Sequence, residues 1–260
     1  MFFRTFILKL FTAMRIAIIS DIHEDFEMLE KAIQSIRKEG CDLLVCLGDI
    51  TGYAREFYHH RPDANACLDL IREISGLTIA GNHDLHVIEK LPSYHQKMEV
   101  PDNWYRLSIQ ERMAISKNGI WLYEEEIIPQ LSGPNRQFLD TLPEFEVLRP
   151  ARKGLMFSHF VQPDICGITS WMPQNTHALR NHFDFMLQCN ATYSFVGHTH
   201  PWGASIAGRL VWNDDFFSGN LTLSNRRQVI FCPPITGNKK KSGFVLYDTN
   251  TNALTQFWVT

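Results

Sequence analysis

The sequence predicts an α/β protein: a parallel sheet laid down early in the chain, with a second, largely antiparallel sheet packed on it. Three apolar runs, residues 15–20, 42–48 and 77–80, are separated by helical patterns. That alternation is the signature of parallel strands joined by right-handed crossovers. From about residue 204 the pattern changes to short apolar segments divided by turn residues such as Asp214-Asp215, Asn225 and Asn250, as in antiparallel strands.

The first run, "RIAIIS" (15–20), is followed by a helical pattern over 25–38 that places Leu29, Ala32, Ile33 and Ile36 on one face, with Gly40 as a stop signal. "DLLVCLG" (42–48) is the second strand, and residues 64–75 repeat the helical spacing with Cys67, Leu68, Ile71 and Ile74. "LTIA" (77–80) is the third strand. Residues 85–150 are less regular and read as a loop-rich insertion near the site, with helical patterns near 104–116 and 134–141. Two further strands follow, "GLMFS" (154–158) and "TYSFVG" (192–197). The segments "ASIAGRLVW", "RQVIFC", "SGFVLYDT" and "ALTQFWV" supply the antiparallel part.

Composition sets outer limits. An apolar share of 45% and a charged share of 20% are ordinary for a globular chain. A net charge of −3 gives no support for stable nucleic-acid binding. The six cysteines, at 41, 46, 67, 166, 189 and 232, show neither C-x-x-C pairs nor a disulfide framework, so buried thiols in a reduced, cytoplasmic setting are expected. "MFFRTFILKLFTA" at residues 1–13 is apolar and basic, but Lys9 interrupts it and no small-residue cleavage site follows. It reads as a dispensable extension to a single domain over 14–260, with an amphipathic surface segment or a targeting role as alternatives. Nothing else approaches the ~20 apolar residues of a membrane span.

Five of the apolar runs share one property: each ends in residues that handle metals or protons. They run into Asp21 and His23; Asp49; Asn82, His83 and Asp84; His159; and His198 and His200. In open α/β sheets ligands bind beyond the carboxyl ends of strands, so these endings point to one site. Mixed carboxylate and imidazole donors suit Mn, Fe or Zn, rather than the all-oxygen sets that Ca favours.

The ordered blocks Asp21-x-His23, Gly48-Asp49, Gly81-Asn82-His83-Asp84, His159 and Gly197-His198-Thr199-His200 resemble the calcineurin-like metallophosphoesterases, in particular a small bacterial and archaeal phosphodiesterase-like subgroup. The resemblance implies two mixed sheets packed face to face and flanked by helices in four layers. It also implies two divalent metals, with Mn favoured, and hydrolysis of phosphate esters by a water bridging the two ions. Asp49 would touch both metals; Asp21, His23 and His200 would complete one shell, and Asn82, His159 and His198 the other. His83 matches the position that protonates the leaving alkoxide, and Asp84 could hold its imidazole in the required tautomer. Gly48, Gly81 and Gly197 read as turns that let backbone approach the metals, or as ordinary turn glycines.

The stretch after Asp49 resembles the subgroup's "GDxxGYG" pattern, with Ala54 in place of the last glycine. Tyr53, Arg55, His59, His60 and Arg61 could contact a leaving group or second phosphate; a solvated polar loop is the equal alternative. His86, Tyr94 and His95 read as exposed loop, and His177 and His182 as partly buried or surface imidazoles. "NKKK" (238–241) reads as a solvated charge run that could steer phosphate. Where the subgroup carries a pocket-lining "PGS-x-G"-like turn, this chain reads "CPPITGNKK" (232–240), which weakens any transfer of substrate identity. A small phosphate ester or nucleotide is therefore the expected substrate, through a phosphodiesterase or nucleotide-directed phosphatase. A phosphoprotein phosphatase and a non-catalytic scaffold of the same fold are the alternatives. Self-association is left open.

Overall fold

The computed structural model describes residues 13–93, 100–117, 119–150, 153–217, 219–237 and 242–260. The chain opens with β1 (Arg15–Ile19), α1 (Phe26–Glu39), β2 (Leu43–Cys46), α2 (Ala64–Ile74), the short β3 (Leu77–Thr78) and α3 (Asn82–Val87). Next come α4 (Ile109–Ser116), α5 (Gly133–Asp140), β4 (Phe145–Leu148), β5 (Leu155–Ser158), α6 (Arg180–Gln188) and β6 (Tyr193–Val196). The last third holds β7 (Ala204–Gly208), β8 (Trp212–Phe217), β9 (Gly219–Thr222), β10 (Gln228–Phe231), β11 (Gly243–Asp248) and β12 (Ala253–Trp258).

Two six-stranded mixed sheets result, ordered β3-β2-β1-β11-β12-β9 and β4-β5-β6-β10-β7-β8. Residues of β1 face both ways: Ile16 and Ile18 turn toward Phe157, Phe195 and Ile230 of the other sheet, while Ala17 and Ile19 pack under α1 and α2. A strand covered on both faces needs apolar residues at every position, which is why the run does not alternate. On the far side, Met156, Val196 and Phe231 lie under Phe183 and Met186 of α6, completing four layers.

The helices follow local rules. Asp25 caps α1 by accepting from the Met28 N–H at 3.1 Å, and the chain leaves the helix through Gly40 at φ 70°. Asp63 caps α2 in the same way, accepting from Ala66 at 3.0 Å. The buried faces carry Leu29, Ala32, Ile33 and Ile36 on α1 and Cys67, Leu68 and Ile71 on α2. Each fully buried Leu or Ile there contributes about 1.5–3 kcal/mol.

The strand-rich last third differs from the expectation of a separate antiparallel sheet. Its strands divide: β11, β12 and β9 extend the first sheet from β1, whereas β10 runs parallel to β6 and carries β7 and β8. An open strand edge is satisfied by whichever partner the whole fold brings to it, and local periodicity does not encode that choice. All six cysteines are free thiols, four of them buried. No helix among the described residues is long and apolar enough to cross a membrane.

His182 is a second difference, being wholly buried on α6 rather than at or near the surface. Its Nδ1 accepts from the Gln162 N–H at 3.1 Å, so Nε2 carries the proton toward Ser194 Oγ at 2.9 Å. Burial pushes its pKa down from 6.5 to about 3. The folded state therefore resists a proton that the unfolded chain accepts. Stability is full above pH 6.5 and declines between 6.5 and about 3, by about 1.4 kcal/mol per pH unit at most from this group. His182→Asn should be less stable than the wild type at pH 7.5 but lose less on going to pH 5, as read by urea midpoints; parallel pH slopes would exclude this role.

Candidate metal centre

Five strand ends meet at one edge of the sandwich. Asp21 and His23 follow β1, Asp49 follows β2, Asn82 opens α3 after β3, His159 follows β5, and His198 and His200 follow β6. Asp21, His23, Asp49, Asn82 and His159 are at most 2% exposed. Cross-links between neighbouring loops fix the arrangement: the Asp21 N–H donates to the Gly48 carbonyl at 3.0 Å, and the His23 N–H to the Asp49 carbonyl at 3.0 Å.

Backbone conformation aims these side chains. Asp21, His23, Asp49, His198 and His200 all adopt positive φ, between 45° and 64°. A non-glycine residue in the left-handed region costs about 1–3 kcal/mol, and such strain persists where surrounding structure holds it for a purpose. Two glycines make room. A Cβ at Gly81 would collide with the Asp49 carboxylate and backbone, and one at Gly197 would collide with Ser20 and Asp21. Both therefore act through close approach.

The donor atoms converge in two groups. His200 Nε2 lies 3.2 Å from Asp21 Oδ1 and 3.1 Å from His23 Nε2. His159 Nε2 lies 3.0 Å from Asp49 Oδ2, and His198 Nδ1 lies 3.0 Å from Asn82 Oδ1. Within Asp21/His23/His200, and within Asp49/His159/His198, all ligand atoms fall inside 4.8 Å of one another. Asp49 links the groups, its Oδ2 also standing 4.0 Å from His23 Nε2.

The residues fit a cation. His23 and His159 turn Nδ1 toward the carbonyls of Gly52 and Leu47, at 2.9 and 2.8 Å, which places the proton there and leaves Nε2 bare toward the centre. The buried Nε2 atoms of His159 and His198 make no hydrogen bond. Burial opposes ionisation of Asp21, but His200 outweighs it and holds the carboxyl well below the usual range. His159 and His83, in their protonated forms, do the same for Asp49 against its burial, and Asp49 in turn pushes the His159 pKa up to about 9, so that a cation at the centre would take the place of the His159 proton. Buried carboxylates facing bare imidazole nitrogens are expensive until a positive charge joins them.

His83 forms a third such group with His23 and Asp49, but it differs from the other histidines of these groups in having its Nδ1 engaged by a carboxylate outside the centre. Its side chain is 24% exposed and opens onto a cleft of about 480 Å³ above the donor atoms. Nδ1 lies 2.8 Å from Glu126 Oε2, and Nε2 lies 4.0 Å from Asp49 Oδ2. Burial alone would lower its pKa; the Asp49 and Glu126 carboxylates outweigh that and push it up to about 9.

The expected partner, Asp84, is not the one the structure supplies. Its Oδ1 accepts from the Ile50 N–H at 3.0 Å and from the Thr51 N–H and Oγ1 at 3.1 Å, while Oδ2 takes the Gly81 N–H at 3.2 Å. Asp84 therefore ties the Gly48-Asp49 loop to α3, and adjacency in sequence to His83 does not become contact. Glu126 reaches His83 from the insertion, held by an Ile127 N–H bond to the Tyr53 carbonyl at 2.9 Å. Its only sequence signal is the run Glu124-Glu125-Glu126, which no spacing rule distinguishes from a solvated face.

None of the five residues expected to contact substrate lines the cleft. Tyr53 is buried, its hydroxyl donating to the Tyr58 carbonyl at 3.2 Å. Arg55, His59 and Arg61 are exposed. His60 donates from Nε2 to the His23 carbonyl at 2.9 Å, with Asp25 Oδ2 3.4 Å from Nδ1, and so braces the metal loop from behind. Phe57 and Tyr58 face the cleft from the same loop. Tyr58 stacks on His23, with ring centroids 4.8 Å apart.

The turn "CPPITG" also holds rather than lines: the Ile235 and Thr236 N–H groups donate to Ser20 and Asp21 carbonyls at 2.8 and 3.0 Å. His86 is half-buried on α3, its ring stacked on Tyr123 at 4.3 Å, and His177 is exposed. Tyr94, His95 and the run 238–241 lie outside the described residues.

Comparisons with known proteins agree with this architecture. An uncharacterized protein of Methanocaldococcus jannaschii is 26% identical over 239 residues, covering 90% of this chain and 82% of that one. The crystal structure of a metallophosphoesterase from Sphaerobacter thermophilus is similar with a TM-score of 0.66 at 21% identity, covering 96% of this chain and 89% of that one. A hypothetical protein from Pyrococcus horikoshii OT3 is similar with a TM-score of 0.56 at 15% identity, covering 94% and 87% respectively. The sequence pattern described as calcineurin-like phosphoesterase matches residues 14–202, from β1 through the His198–His200 turn. With its ligand groups in place and that match spanning most of its length, the chain belongs to the metal-dependent calcineurin-like phosphoesterase family.

Proposed function

We propose that the protein is a phosphoric ester hydrolase with a dinuclear centre, acting on phosphodiesters or nucleotides. The observation that carries this reading is the junction of the two donor groups at Asp49 beneath a cleft onto which His83 opens. Asp21, His23 and His200 would hold one divalent ion, Asn82, His159 and His198 the other, and Asp49 would contact both. Bound there, two divalent ions supply Lewis acidity to the phosphoryl oxygens and acidify a water between them.

The chain's own residues do the rest. Glu126 fixes the His83 ring through Nδ1, so that Nε2 faces the cleft. His83 gives its Nε2 proton to the departing oxygen, which otherwise leaves as an unstable alkoxide. Asn82 contributes an amide oxygen in place of a third carboxylate and limits the repulsion that a phosphate ester meets. A scaffold of this fold would have no need for the ligands and His83 together, and all are present. Mn is the expected metal; the donor set serves Fe and Zn as well.

The test is a panel of monoesters, diesters, nucleotides and phosphopeptides assayed with added Mn and again after chelation. Turnover of diesters or nucleotides that chelation abolishes is the expected result. Faster turnover of phosphopeptides would favour a protein phosphatase, and metal-loaded protein inert toward every ester would leave the scaffold.

A further inference from the structure

The walls of the cleft differ in character from its floor. Phe57, Tyr58, Trp121, Tyr123 and Met172 line the cleft above the donor atoms. Phe57 is 68% exposed and Trp121 41% exposed. An adjoining hollow of about 360 Å³ shares Met172, Thr199 and His200 with the cleft and adds Trp202, itself 46% exposed. Large rings left in water around one opening mark a surface that a ligand covers.

Among the described residues, the charges at the rim are all of one sign. Beyond the metal-centre residues and His83, the charged groups lining the cleft are Glu124, Glu125 and Glu126. Glu126 is committed to His83, while Glu124 and Glu125 are exposed. Among the described residues no Lys or Arg lines the cleft. Bound metal ions can balance the one phosphoryl group that reacts, but a chain of further phosphates would lie along carboxylates.

We infer that the site selects phosphodiesters carrying a single negative charge and a flat aromatic substituent, and discriminates against polyphosphates. This rests on the hydrolase reading. Phe57 and Trp121 stack the ring, and Glu124 and Glu125 repel additional anionic groups. Stacking on an exposed aromatic changes affinity by about tenfold. Partly screened repulsion by two carboxylates gives a change of about three- to tenfold.

The experiment uses the full chain loaded with Mn and two diesters that both release ethanol and of which only one carries a ring: thymidine 5′-(ethyl phosphate) and methyl ethyl phosphate. ATP and a dinucleoside tetraphosphate serve as polyanions. The nucleoside diester should be the best of the four by kcat/KM. Phe57→Ala and Trp121→Ala should lower kcat/KM on the nucleoside diester about tenfold more than on the methyl ester. Glu124→Gln with Glu125→Gln should raise the ratio of polyanion to diester turnover about three- to tenfold. A wild type that prefers the polyanions, or ratios that no variant moves, would overturn the inference. Absence of all turnover with metal bound would refute the hydrolase reading alone. The same ligands, then unconsumed, titrated calorimetrically into the loaded protein would decide the selectivity.

Discussion

Asp49→Asn is expected to lose metal and to lower kcat/KM by about 10³-fold or more, because one carboxylate serves both donor groups. Oδ2 of Asp49 lies 3.0 Å from His159 Nε2 and 4.0 Å from His23 Nε2, so the same oxygen borders both groups. An asparagine offers one neutral oxygen and turns an N–H₂ toward any second cation. The side chain also accepts from the His83 N–H at 3.0 Å, so the substitution loosens the start of α3 as well. Metal content by plasma mass spectrometry, measured beside activity, separates the two effects. Two ions retained per chain would rule out the bridging position. A merely destabilised protein would regain activity at lower temperature, whereas loss of the bridge persists at every temperature.

The second large effect is expected at His83. His83→Ala should keep both metals and lower kcat by about 10²–10⁴-fold. The loss should be greatest for alkyl esters, whose leaving groups need a proton, and smallest for p-nitrophenyl esters, whose leaving groups do not. Glu126→Gln supplies a complementary reading. It retains the shape of the carboxylate but removes the charge that orients the ring at 2.8 Å, and a drop of about 10–100-fold in kcat with little change in KM is expected. The corresponding change at Asp84 acts through the Gly48-Asp49 loop and should appear as lower thermal stability and metal affinity. If Asp84→Asn reproduced the leaving-group dependence of His83→Ala while Glu126→Gln did not, the assignment of Glu126 would be wrong.

The fold was legible where side chains follow local rules. Asp25 and Asp63 cap the helices their sequence contexts suggest, and the apolar faces of α1 and α2 are the buried ones. The strands that deliver the site were visible because strands buried on both faces must be apolar throughout, and each then meets polar residues abruptly. Pairing was less accessible. That β11 lies against β1, and β10 beside β6, depends on which edges remain open after the rest has folded. β4 was hidden in the irregular region, since its Glu146 and half-buried neighbours read as loop.

By itself, then, the sequence marked out the candidates: seven for ligands, and His83, ordered on strand ends with glycines beside them. Their chemistry is a property of residue type, and their clustering follows from the carboxyl ends of strands sharing one edge. Only the tertiary structure decided how they are aimed and who assists them. Positive φ at Asp21, His23, Asp49, His198 and His200 is held by loops locked to one another; Asp and His enter that region more readily than most residues, but their local preference does not require it. Glu126 reaches His83 across 43 positions, Asp84 turns away from its neighbour to hold backbone, and Phe57, Tyr58 and Trp121 replace the basic loop residues at the cleft. Contact between distant segments is set by packing of the whole chain, and a short motif carries no record of it.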